Sequence, residues 1–196
     1  YSASNIVVAT GFYDLPEEVF EKMRAILKIM KNAIDLGLQG TKYADRILGP
    51  QSLTFQEKMD GKKLVEGDIL NQVILYTSAM MEVKSSMGVV VAAPTAGSCG
   101  ALPGAIIGIG RTLELSEDQM VKAMLAAGII GVFIAAHATF AAEVGGCMAE
   151  CGSGSSMAAA ALVALHNGDT EQCLTAASMA LQNSFGMTCD PIANRV

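Results

Sequence analysis

The chain has 196 residues, 52% of them hydrophobic and only 5% aromatic, with a formal charge of −6 at pH 7. That length suffices for one core or for part of a larger assembly, and a negative balance without any basic run excludes nucleic acid as an expected partner. Five cysteines, odd in number, irregularly spaced and without a secretory signal ahead of them, point to a reducing, cytoplasmic setting rather than a disulfide framework.

The first ten residues show no clear period. Asp14, Pro16 and Glu17 read as a helix start. Val19, Met23, Ile26, Leu27, Met30 and Ile34 then recur at three- and four-residue steps and make one apolar stripe. Gly37 reads as the helix stop, and residues 37–67, polar and glycine-containing, as a long connection or active-site lid. A second helix runs from Asp68 through Ile69, Val73, Ile74 and Met80 towards Val83. Residues 88–104 (GVVVAAPTAGSCGALPG) break that pattern: a short β-like run meets Pro94, and glycines then surround Ser98 and Cys99. A helix follows over about Ala101–Leu113. Ser116 with Gln119 is a capping signature for another, through Met120, Met124 and Ile129.

Gly145, Gly146, Gly152 and Gly154 punctuate a loop around Cys147, after which Ser155 or Ser156 can cap an alanine-rich helix ending at Asn167–Gly168. Asp169 with Gln172 opens a last helix to about Asn183, and Gly186 frees the backbone ahead of Cys189 and Pro191. The prediction is an all-α fold, a compact helical domain with glycine-rich active-site loops. With no repeat and no linker, residues 1–196 are expected to form a single domain. Residues 124–142 nearly meet the length of a membrane span. Their small residues, and the lack of Trp or Tyr at their borders, favour a buried helix instead, so no membrane partner is expected.

The chemistry-bearing residues are few. Cys147 and Cys189 each stand beside glycines, where a thiolate can hold a soft metal or an iron–sulfur cluster; a small buried hydrophobe is the alternative use of a cysteine, and it suits Cys173. Cys147 and Cys151 form a C-x3-C pair, weak evidence for metal by itself. The loop PTAGSCG (residues 94–100), leading into a helix, offers backbone donors to a carboxylate or phosphate, or is a tight turn needing small residues. His137 in an apolar helix is a core histidine or a base. Glu143 and Glu150 flank Cys147 in an otherwise uncharged stretch, where a carboxylate is costly unless paired or working.

Three segments, APTAGSCGALPG (93–104), AEVGGCMAECGSGSSMAAAALVAL (142–165) and SFGMTCDPIANRV (184–196), together resemble the α subunit or α domain of iron–sulfur-dependent L-serine dehydratases. The similarity is strongest over residues 66–196. The resemblance implies an all-α domain holding a [4Fe–4S] cluster on three cysteines with one iron open to substrate. Cys147 and Cys189 match two ligand positions, and the third falls beyond Val196, so the sequence is expected to stop short of the complete chain. The resemblance further implies conversion of L-serine to pyruvate and ammonia and a β subunit or β domain, with assembly into an oligomer expected. Thr95, Gly97, Ser98 and Gly100 are the implied substrate-binding residues, with His137 and Glu143 as candidates for the base. An iron–sulfur L-cysteine desulfidase is a close alternative, and a small-residue helical membrane protein with spans over 88–110 and 124–142 a distant one.

Overall fold

The computed structural model describes residues 16–44, 46, 47 and 49–187, so that Asp14, Cys189 and Pro191 lie outside the described residues. Among those residues the protein is all helical: α1 (Pro16–Leu38), α2 (Gln51–Asp60), α3 (Asp68–Ser85), α4 (Ala101–Thr112), α5 (Glu117–His137), α6 (Ala142–Gly145), α7 (Cys147–Leu165) and α8 (Thr170–Asn183). The β-like run after Gly88 forms no strand.

The short helix α4 is the axis of the fold. Its residues from Leu102 to Gly110 are all buried, the signature of a helix surrounded on every side. It packs on α3 and α7 and touches α1 and α5. Burial of Leu102, Ile106 and Ile107 contributes about 1.5–3 kcal/mol each. Close approach to α3 depends on glycine: a Cβ at Gly100 would stand 2.9 Å from Met81 Cγ, and one at Gly108 3.0 Å from Val73 Cγ2. Gly104, between them, sits against Thr77.

The apolar stripe of α1 is buried as its spacing predicts, at Leu27, Met30 and Ile34, and lies against α3 and α5. Gly37 is not the end of that helix. It is buried inside the last turn, with the Ala79 backbone where a side chain would begin. Arg24 bonds Glu117 at 3.0 Å and Asp118 at 2.7 Å, and Lys31 reaches Glu117 at 2.9 Å, so the start of α5 is fastened to α1. The carboxyl of Glu117 is accordingly held below its ordinary range, by Lys31 first and Arg24 next.

Two capping signatures appear as expected. Gln119 N donates to Ser116 Oγ at 3.3 Å, and Gln172 N to Asp169 Oδ1 at 2.8 Å; the glutamine side chain returns to the cap backbone in both. Two further expectations change. Residues 37–67 are not wholly a connection, because α2 lies within them. And α7 begins at Cys147, so Ser155 and Ser156 are inside the helix rather than at its cap; Ser156 Oγ donates to the Ala177 carbonyl of α8 at 2.9 Å.

By length and composition α5 and α7 are each apolar enough to cross a membrane, with 44% of each apolar window buried inside the protein. The span considered over 88–110 is broken, since regular helix starts only at Ala101. The other, over 124–142, is interrupted after His137.

Candidate active site

Residues 93–100 form the turn that enters α4. It passes through a cis Ala93–Pro94 peptide, and the Ala93 amide donates to the Thr95 carbonyl at 3.2 Å. Ser98, Cys99 and Gly100 are buried, Thr95 is half-buried, and Ala96 and Gly97 are exposed at the tip. The turn thus brings together two hydroxyls, two small exposed residues and the amides that lead into the helix, Pro103 having none to give.

The opposite wall is the beginning of α7. Gly146, at φ 74°, turns the chain out of α6 and places Cys147 as the first helical residue. Positions 147, 150, 151 and 154 follow at helical three- and four-residue steps and share one face. That face meets the turn. The Glu150 carboxylate accepts a short hydrogen bond from Thr95 Oγ1, and Thr95 Oγ1 lies 3.1 Å from Ser98 Oγ. Gly97 leaves room for the same contact, because a Cβ there would displace the Glu150 carboxylate. One turn further along, the position of a Cβ on Gly154 is 3.4 Å from the Ala93 carbonyl oxygen and from Ser98 Cβ. The helix therefore lies directly on the turn.

Of the substrate-binding residues expected from the sequence, Thr95, Gly97 and Ser98 come together around Glu150. Gly100 lies behind them against α3, where Thr77 Oγ1 donates to its carbonyl at 3.4 Å. Cys147 heads the helix that carries Glu150 and is half-buried. Its setting suits a metal-bound thiolate, since the first turn of a helix carries partial positive charge. Cys189 falls outside the described residues. Among the described residues no three His, Cys, Asp or Glu side chains gather in a way that could hold a metal ion; Cys147 brings one thiol, at a helix start, whose chemistry fits a cluster ligand.

His137 takes a different place from the one expected. His137 is not in the middle of an apolar helix but is the exposed last residue of α5, its ring stacked near Phe133 at 6.3 Å. Glu143 is exposed in α6. Both belong to the segment leading into Cys147, and neither hydrogen-bonds to the turn. Between the two glutamates that flank Cys147, only Glu150 reaches it. Cys99, despite its place in the turn, faces inward with its sulfur 3.8 Å from Met81 Sδ. Burial pushes its thiol above the usual range. Cys173 is shifted the same way, by burial and then by Asp169.

Similarity to known proteins follows these features along almost the whole chain. A family model described as serine dehydratase alpha chain matches residues 4–196. The "Probable L-serine dehydratase, alpha chain" of Bacillus subtilis (strain 168) is 34% identical over 180 residues, covering 92% of this chain and 60% of the relative. The "L-serine dehydratase, alpha chain" of Peptoniphilus asaccharolyticus is 38% identical over 182 residues, 92% of this chain and 62% of the relative. "L-serine dehydratase 1" of Escherichia coli (strain K12) is 30% identical over 190 residues, with 92% of this chain and 41% of that protein covered. The chain thus spans about three fifths of the length of the two alpha chains. A match from residue 4 to residue 196, around a turn and a cysteine-headed helix that touch, places the chain in the serine dehydratase alpha chain family.

Proposed function

We propose that this chain is the catalytic α part of an L-serine ammonia-lyase, which converts L-serine to pyruvate and ammonia. The observation that carries the reading is the shared face of α7. Cys147 stands on it beside Glu150 and Gly154, both of which contact the PTAGS turn, in a chain that belongs to this family. Cys147, Cys189 and a third cysteine of the complete protein would hold a [4Fe–4S] cluster. Bound there, such a cluster supplies a Lewis-acidic iron for the charge of the departing hydroxide.

The chain's own residues do the rest. The amides of the turn that opens α4 bind the substrate carboxylate and stabilise the charge that gathers on it as the α-proton leaves. Thr95, Gly97, Ser98 and Gly100 form the turn at which the substrate is held. His137 or Glu143 takes the α-proton, both being placed in the segment before Cys147, unless the β subunit or domain supplies that base. Loss of the α-proton and of hydroxide leaves 2-aminoacrylate, whose imine tautomer adds water and releases ammonia and pyruvate. The β partner, an oligomeric assembly and a cytoplasmic location complete the proposal.

Substitution of Cys147 in the complete protein tests it. Cys147→Ala is expected to lose iron, acid-labile sulfide and pyruvate formation together while keeping wild-type helical content by circular dichroism. Undiminished turnover without the cluster would refute the reading. In the same assay His137→Ala and Glu143→Gln identify the base, as the variant that retains iron but loses about 100-fold or more in kcat; iron-loaded variants that both keep full kcat assign the base to the β partner.

A further inference from the structure

The hydrogen bonds of the PTAGS turn have a fixed direction. A carboxylate only accepts, and a threonine hydroxyl has one proton to give. Thr95 gives its proton to Glu150. The 3.1 Å contact between Thr95 Oγ1 and Ser98 Oγ must then be donated by Ser98. The chain of bonds runs from Ser98 to Thr95 to Glu150, and both hydroxyl protons are used inside the protein. Towards a ligand this corner has only lone pairs to offer, with a carboxylate behind them.

The corner is held in that state by its surroundings. Ser98 is only 5% exposed, and α7 lies against it through Gly154. Gly97 has no side chain to push the carboxylate away. An acceptor-only corner backed by negative charge repels a carboxylate and attracts a cation that carries several N–H donors.

We propose that Glu150, Thr95 and Ser98 form the subsite for the α-ammonium group of the substrate, and that this subsite selects amino acids over hydroxy acids that lack the amine. The substrate carboxylate is left to the amides at the start of α4. The inference rests on the dehydratase reading and deepens it: it orients the substrate at the turn and gives Glu150 a role as the residue that sets the polarity of Thr95 and Ser98.

The test uses the complete protein with its β partner, loaded with iron and sulfide without oxygen. Two ligands are compared: L-serine as substrate, and 3-hydroxypropanoate, which is serine without its amine, as competitive inhibitor. Glu150→Gln keeps the size of the side chain and removes its charge. It is expected to raise KM for L-serine about tenfold or more, the scale of one charge-assisted hydrogen bond, and to leave the inhibition constant of 3-hydroxypropanoate within about twofold. Thr95→Val should act in the same sense, with iron content unchanged in both variants. Equal weakening of both ligands, or of neither, in variants that hold wild-type iron overturns the ammonium subsite while the dehydratase reading stands. A wild-type protein that makes no pyruvate from L-serine instead sinks that reading and this inference with it.

Discussion

A carboxylate in an uncharged segment costs free energy unless it is bonded, and Glu150 meets that demand by accepting from Thr95, 55 positions earlier in the chain. Glu143, in the same segment, meets it by staying in water. The sequence marks both glutamates as unusual, but only the phase of α7 decides which one faces the turn. Cys99 lies in the most ligand-like stretch of the chain, yet it is fully buried beside Met81. Burial raises its thiol above the ordinary value of 9.0, against a smaller opposing pull from Lys84. Below that value the thiol is protonated in both folded and unfolded chains and its effect on stability is neutral. As pH rises past it the unfolded chain loses the proton first, so native stability falls. At pH 8, iodoacetamide is expected to alkylate Cys99 at least about a hundredfold more slowly in the native protein than in urea-unfolded chain, because reaction needs opening of the core. Comparable rates, read by peptide mass spectrometry, would show that the thiol is accessible.

At the scale of elements, what is local in sequence is legible and what is remote is not. The capping boxes at Ser116 and Asp169 close over three residues and are read directly. The helix α2 escapes reading because its apolar face is short: Phe55 and Met59 pack only part-buried against the core, beside the buried Ser52. Its cap also comes from another helix. Glu82 of α3 accepts from Gln51 N at 2.6 Å, Ser52 N at 2.9 Å and Ser52 Oγ at 3.0 Å, doing for α2 what an N-cap side chain usually does. Glu82→Ala should cost about 1 kcal/mol and speed amide hydrogen exchange across residues 51–60 more than in α4 or α5. Unchanged protection there would mean that the carboxylate does not hold the helix. The start of α7 is hidden for a related reason. Gly152 and Gly154 look like helix breakers in sequence, whereas in the fold they let α7 approach its neighbours. A Cβ at Gly152 would lie 3.0 Å from Leu181 Cδ1 and 3.2 Å from Ser184 Cβ.

For the molecule as a whole, the all-α class follows from the repeated three- and four-residue apolar spacing, and the central position of α4 from nine consecutive buried residues that tolerate no polar face. The site then arises where the two elements packed on each other at one end of α4 meet: the turn that starts it and the helix α7 that crosses it. The motifs around residues 93–104 and 142–165 name both partners of that contact in advance, but not the bond between Thr95 and Glu150 that joins them. The far end of α5 carries the exposed Val132 and Phe133, with the exposed Val144 on the α6 segment that follows, so the segment leading to Cys147 borders open surface.

As proposed above, Cys147 helps to hold an iron–sulfur cluster used on L-serine. The most direct test is iron and acid-labile sulfide per chain, with pyruvate release from L-serine, on the complete protein reconstituted without oxygen together with its β partner. The expected result is about four irons and four sulfides, serine-dependent pyruvate, and loss of both cluster and activity in air. A folded, metal-free protein that forms no pyruvate under those conditions would contradict it.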